Sequence, residues 1–275
     1  MAIKLYKSTS PGRRGASHIP HTSFTNKQPE RSLVMPLPRS GGRNVQGKIT
    51  VRHRGGGHKR LYRMIDFHQI RYDVPARVIA VEYDPNRTSA IALVEYPDKE
   101  RRYIPASVDI TVGTEVMASL HKIEATPGNR MPLKYIPTGL AVYNIELVPG
   151  RGGKIVRSAG TNAILMNVEG NFAQVKLPSG EIRLFPKDAC ASVGQVSNPD
   201  RRLVRLGKAG RMRHKGWKPK VRGKAMNPVD HPHGGGEGHN PVGMKFPKTP
   251  WGKPAFGIPT RKKDKWTNRF IVKPA

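Results

Sequence analysis

The middle of the chain is written in short runs of β-branched and aromatic residues, each closed by turn residues. No segment carries a sustained 3.6-residue period, so helices are not expected there. Ala76–Tyr83 reads as a strand stopped by Asp84-Pro85-Asn86. Ala90–Tyr96 follows and ends at Pro97-Asp98, and Arg102–Ile104 is a short third strand. Ala141–Val148 reads as one strand. Ala163–Val168 and Phe172–Leu177 flank a hairpin turn at Glu169-Gly170-Asn171, and Pro178-Ser179-Gly180 leads into Glu181–Phe185. Short strands at intervals near ten residues predict small sandwiches or barrels. The Pro/Gly-rich stretch 126–139 divides them into barrels over 61–126 and 127–200. The predicted fold class is all-β, with barrel closure removing the exposed edges of such short strands.

The two ends follow no such pattern. Residues 1–60 contain Pro11, Pro20, Pro29, Pro36 and Pro38, with Gly41-Gly42 and Gly55-Gly56-Gly57; residues 201–275 have a proline or glycine every few positions. Only Arg201–Gly207 has the makings of a helical turn. Neither end can bury enough apolar surface to offset its ordering entropy. Each is expected to be an extended arm, disordered until a partner is bound.

Charge gives that partner a sign. The 275 residues hold 49 Lys/Arg and 19 Asp/Glu, a net of +30. Residues 1–60 carry +12, residues 61–200 only +1, and residues 201–275 carry +17. A near-neutral middle thus bears two basic arms, which calls for a polyanion. Cys190 is the single cysteine, so an internal disulfide and a cysteine-based zinc site are excluded, and it reads as a small core residue. No apolar run is long enough for a membrane span, and the charged start Met1–Lys7 predicts no secretory signal.

In the arms the cations are interleaved with glycine. Arg52, His53, Arg54, His58, Lys59 and Arg60 bracket Gly55-Gly56-Gly57; Arg211, Arg213, Lys215, Trp217 and Arg222 form a second such run. Glycine lets backbone approach a nucleic acid and offers its N–H groups to phosphate, while Trp217 and His214 are able to stack on bases. A merely solvated basic face and a DNA-compacting arm are the rival readings. The strand-rich middle favours RNA, since small barrels bind it on one face and its loops. Arg13, Arg14, Arg43, Lys48, Arg63, Arg261, Lys262 and Lys263 complete the candidate contacts outside the loops of the middle.

Three sites stay open between readings. Asp230, His231, His233, Glu237 and His239 crowd one glycine-rich stretch. They read as a general base His231 oriented by Asp230, as a metal site of the three histidines with a carboxylate, or as a loop packed on RNA. Arg87, after the Asp84-Pro85-Asn86 turn, is a solvated turn residue or a phosphate contact. Arg157 poses the same choice, with Arg151 and Lys154 clustered around nearby glycines favouring RNA.

Gly41–Gly47, Arg52–Arg60, Glu82–Arg87 and Met226–Gly238, with Thr249–Gly252 and Thr260–Lys263, resemble the universal large-subunit ribosomal protein two family in its bacterial or organellar form. The resemblance runs through nearly the whole chain in the same order. It implies an OB-like barrel followed by an SH3-like barrel, with long basic, mostly irregular extensions threaded into large-subunit rRNA. It further implies a non-enzymatic role in subunit assembly and association, in tRNA binding and in supporting the peptidyl transferase region, with His231 turned towards that centre. Arg87 and Arg157 map onto family rRNA contacts. Neighbouring ribosomal proteins, small-subunit rRNA at the intersubunit bridge and nearby tRNA are the further implied partners, and no membrane. The implied location is the ribosome of a bacterial cytoplasm or of an organelle. No cofactor is expected, any Mg²⁺ being held through the RNA. Residues 15–38, His214, His239 and the short end Lys273-Pro274-Ala275 depart from the family pattern.

Overall fold

The computed structural model describes residues 3–20, 24–25 and 28–275. Its strands are β1 (Lys4–Leu5), β2 (Ser17–His18), β3 (Val34–Pro36), β4 (Leu61–Arg63), β5 (Ala76–Tyr83), β6 (Ala90–Glu95), β7 (Arg101–Pro105) and β8 (Glu115–Val116). They continue as β9 (Arg130–Pro132), β10 (Ala141–Tyr143), β11 (Ile145–Glu146), β12 (Gly153–Ile155), β13 (Ala163–Glu169), β14 (Phe172–Lys176), β15 (Ile182–Pro186), β16 (Cys190–Val193) and β17 (Ile271–Lys273). The α-helix found among the described residues, α1 (Ala209–His214), begins beyond the predicted helical turn, whose first half is instead a 3₁₀ turn, Pro199–Leu203.

The first domain is OB-like, a curled sheet in the order β7-β6-β5-β8. Burial alternates along β5, where Ala76, Val78, Ala80 and Glu82 point inward. Strand β6 is central and buried on both faces. Ala90, Ala92 and Val94 join one apolar cluster, and Ile91 and Leu93 join another with Tyr103. One oxygen of the acid in this core is bonded: Tyr103 donates its hydroxyl to Glu82 Oε2 at 2.8 Å and accepts from the Glu30 amide at 2.9 Å.

The second domain is SH3-like, a seven-stranded sheet ordered β17-β15-β14-β13-β10-β16-β9. Met131, Val142, Tyr143, Leu165, Val175 and Phe185 fill its core. The stretch predicted as strand Ala141–Val148 is two strands in two sheets. Asn144 adopts a positive φ of 50° between β10 and β11, and β11 turns away to pair with β12. Gly153 makes the turn possible, since a Cβ there would lie 2.1 Å from Asn144 Oδ1.

Stretch 126–139, the Pro/Gly-rich break between the two predicted barrels, contains β9, and the fully buried Arg130 bridges to Ala118. The two barrels are also joined through Ser107 and Val196, and Ser197 Oγ accepts from the Ala90 amide at 2.9 Å. They form one compact unit with the described residues of 1–38 and with 269–275, because β3 pairs with β4 and β17 extends the second sheet. Residues 39–58 and 212–268 gather into a second unit, so these parts of the two arms lie against each other rather than apart. Backbone pairing explains it. The Gly55 amide donates to Gly216 O at 3.1 Å, His58 to His214 O at 2.9 Å and Lys218 to His53 O at 3.0 Å.

Candidate nucleic-acid interface

The end of β5 builds the first cluster of cations. Asp84 is fully buried, and its Oδ1 accepts from the Asn86 amide at 2.8 Å, fixing the turn that presents Arg87. Asp84 Oδ2 lies 3.0 Å from Arg87 Nε, and Oδ1 lies 3.9 Å from Arg63 Nη1. Arg60 donates to Pro85 O at 2.9 Å. Three predicted contacts, Arg60, Arg63 and Arg87, thus meet at one turn around a single carboxylate, which leaves the group net positive.

The second cluster hangs from Glu146, a buried acid in β11. Its carboxylate accepts from Arg130 Nη2 at 2.8 Å and from the amides of Gly150 at 2.9 Å, Gly152 at 3.1 Å and Cys190 at 3.3 Å. These bonds satisfy the buried charge and pin the loop that carries Arg151 and leads into β12, where Lys154 is exposed. Burial in the same neighbourhood pushes the Cys190 thiol up to about 11.

Phe67 joins the two clusters. Its carbonyl accepts from the Gly153 amide at 3.0 Å. Its ring carries the Arg157 guanidinium 4.3 Å from the centroid and that of Arg87 5.1 Å away. Desolvation, then the neighbouring Arg87 charge, lower the Arg157 pKa from its ordinary value. An anion between the two guanidiniums would relieve that repulsion. A cleft of about 400 Å³ opens here between the barrels, lined by Phe67, Arg87, Lys154 and Arg157 among others. Sequence reasoning named the arginines and missed Phe67, Arg130 and Glu146. Nothing local marks Phe67. Glu146 had a signal, an acid inside an apolar strand followed by a glycine loop able to supply N–H donors.

Other predicted contacts lie apart from this cleft. Arg13 and Arg211 both approach the Tyr6 ring, at 5.7 and 4.8 Å, while Arg14 and Lys59 are exposed.

The second unit presents a different surface. Arg43 and Lys48 flank a turn capped by Asn44, whose Oδ1 accepts from the Gln46 and Lys48 amides at 3.0 Å each. Arg54 packs 3.4 Å from the Trp217 centroid and Arg52 5.3 Å from that of Trp251. One face of Trp217 is therefore taken by a cation. His53 Nδ1 donates to Pro219 O at 3.0 Å. Gly57, at φ +87°, approaches so closely that a Cβ would lie 2.6 Å from the Gly216 nitrogen. His58, Arg213, Lys215 and Arg222 are exposed around this junction. Arg261 is tied to Asn268 Oδ1 at 2.7 Å and Thr267 Oγ1 at 3.0 Å, which orders the turn exposing Lys262 and Lys263.

His231 is enclosed, at 7% exposure, with its ring beneath Gly223. Its Nδ1 accepts from the His233 amide at 3.0 Å, and His233 Nε2 accepts from the Lys248 amide at 2.8 Å. A base oriented by Asp230 would need Nδ1 as a donor, so the arrangement does not build that dyad. Among the described residues no group of three His, Cys, Asp or Glu is placed to hold a metal ion, and no helix is long and apolar enough to cross a membrane.

Two family models match the chain. Residues 30–118 match the RNA-binding N-terminal domain of ribosomal proteins L2, and residues 126–252 match the C-terminal domain of the same proteins.

Proposed function

The chain belongs to the ribosomal protein L2 family, and from that membership we propose that it binds large-subunit rRNA along both barrels and both arms. Members of the family are structural, RNA-binding proteins of the ribosome. In this chain the reading is carried chiefly by the second unit. It holds eighteen Lys/Arg against three acids, a net of +15, with no buried apolar side chain among its described residues. A segment of that composition gains its order from counter-charge, and rRNA supplies it densely.

The positions of the cations support finer roles. The cleft between the barrels grips RNA through Arg87, Lys154 and Arg157, and Arg60, Arg63 and Arg151 extend that footprint. Arg13, Arg14 and Arg211 neutralise phosphate beside the barrels. Arg43, Arg52, Arg54, Arg213, Lys215, Arg222 and Lys262 do so in the second unit. By doing this the chain supports subunit assembly and association. The loop of His231 and His233 supports the peptidyl transferase region and tRNA binding as a shaped, hydrogen-bonded element, with bond formation left to RNA. Neighbouring ribosomal proteins and small-subunit rRNA are its further partners, and any Mg²⁺ is held through the RNA.

A sucrose gradient tests the proposal. The chain is expected to sediment with large subunits at moderate salt and to leave them as salt rises, with a steep logarithmic slope. Sedimentation apart from the large subunit at every salt concentration would reject it.

A further inference from the structure

The cleft between the barrels has a floor as well as a rim. The exposed Lys154 and Arg157 and the half-buried Arg87 form its cationic rim, and the half-buried Ile65 and the nearly buried Val156 give it an apolar floor. Binding a phosphate would need the rim alone. A duplex presents phosphates and riboses while keeping its bases stacked inside, so its surface would leave the apolar floor unused. An unpaired base has the opposite character, with broad π-faces and a size suited to a recess of about 400 Å³. Both guanidiniums already lie against the Phe67 ring, 5.1 and 4.3 Å from its centroid, and planar guanidiniums stack on bases.

Resting on the rRNA-binding reading, we infer that this cleft takes a single unpaired nucleotide of the RNA. Its base lies on the apolar floor, and its flanking phosphates lie on Arg87, Lys154 and Arg157. Phe67 is a positioning residue, holding both guanidiniums at the cleft.

The full chain is titrated at about 0.3 M KCl, where non-specific contacts weaken, with three RNA hairpins. One is fully paired, one carries a single bulged 2-aminopurine, and one carries an abasic bulge at the same place. The base-bearing bulge is expected to bind about tenfold tighter than the abasic one, with its fluorescence shielded from acrylamide. Ser158 lines the cleft at an exposed position, and its carbonyl rather than its hydroxyl serves Thr161, at 2.7 Å. Ser158→Leu, checked for folding by circular dichroism, should abolish the preference and leave paired-hairpin affinity within about twofold. Arg157→Lys keeps the charge and removes the planar fork. It should cut the preference about threefold with the salt slope unchanged. Equal affinity for base and abasic bulges overturns the inference, as does a preference that survives both substitutions. Absence of salt-dependent binding to any of the hairpins would instead strike the RNA reading beneath it.

Discussion

The two compact units carry the same net charge and hold themselves together differently. Each sums to +15, but the barrel unit has sixteen acids among its residues and the second unit three. The barrel unit buries three apolar clusters and closes its cationic side chains onto carboxylates such as Asp66, Asp84 and Glu146. The second unit is held by backbone turns and by arginines on Trp217 and Trp251, and its one buried side chain among the described residues is His231. Net charge alone therefore does not say which part of a basic protein needs a partner. What decides is whether an apolar core exists to offset the entropy of ordering.

Hydrogen exchange on the RNA-free chain puts the widest gap on that contrast. Amides of β5–β7 and β13–β16 should exchange about three orders of magnitude more slowly than those of residues 39–58 and 212–268. Added rRNA should then protect the second set. Equal protection of both sets without RNA would mean that the second unit holds its structure unaided, and the comparison would collapse.

Within the barrel unit the sharpest single point is Glu146. Glu146→Ala leaves the Arg130 charge buried and uncompensated, at side-chain exposures of 1% and 3% for the pair. It also frees three backbone amides. The expected loss is about 3–5 kcal/mol in urea unfolding, with exchange in the second unit unchanged. Arg130→Met with Glu146→Leu should recover much of it, because the uncompensated charge is gone.

The barrels were legible because their strands alternate or bury wholly: Ala76–Tyr83 is found as predicted, and the next two predicted strands match to within a residue or two at their ends. The kink at Asn144 was hidden, since an apolar run looks the same whether it stays in one sheet or changes sheets. The pairing of residues 39–58 with 212–268 was equally hidden. Backbone bonds between distant glycine-rich segments leave no periodic trace. Arg87 and Arg157 could be named from turn and loop context, but their convergence on Phe67 is a tertiary fact. The enclosure of the His231 ring beneath Gly223 also leaves no local trace.

The arginine pair separates binding from folding by a smaller margin. Arg157→Ala removes a cation whose one hydrogen bond among the described residues is to Gly153 O at 3.2 Å, so the barrels should stay folded. RNA affinity should fall about tenfold and the salt slope by about one. Arg87→Ala should weaken RNA similarly and also lower barrel stability, because Arg63, at 3.9 Å, would be the one cation left on the buried Asp84 among the described residues. Circular dichroism melts alongside filter binding would tell the two variants apart. Identical melts for both would remove the structural half of Arg87's role.

The smallest effect belongs to the exposed ion pairs of the first barrel. The Arg71 guanidinium donates to Asp98 Oδ1 at 2.9 Å and holds its carboxyl at about 2, below the ordinary 3.8. A carboxyl depressed on folding adds stability that is present above its unfolded pKa and is lost as pH falls through its folded one. Asp98→Asn should therefore melt slightly earlier than the parent at neutral pH, and the two should converge as pH falls from about 4 towards 2. Because the pair is exposed, added salt should narrow even the neutral-pH difference. A difference that instead grew on acidification would mean that Asp98 is held by something other than Arg71's charge.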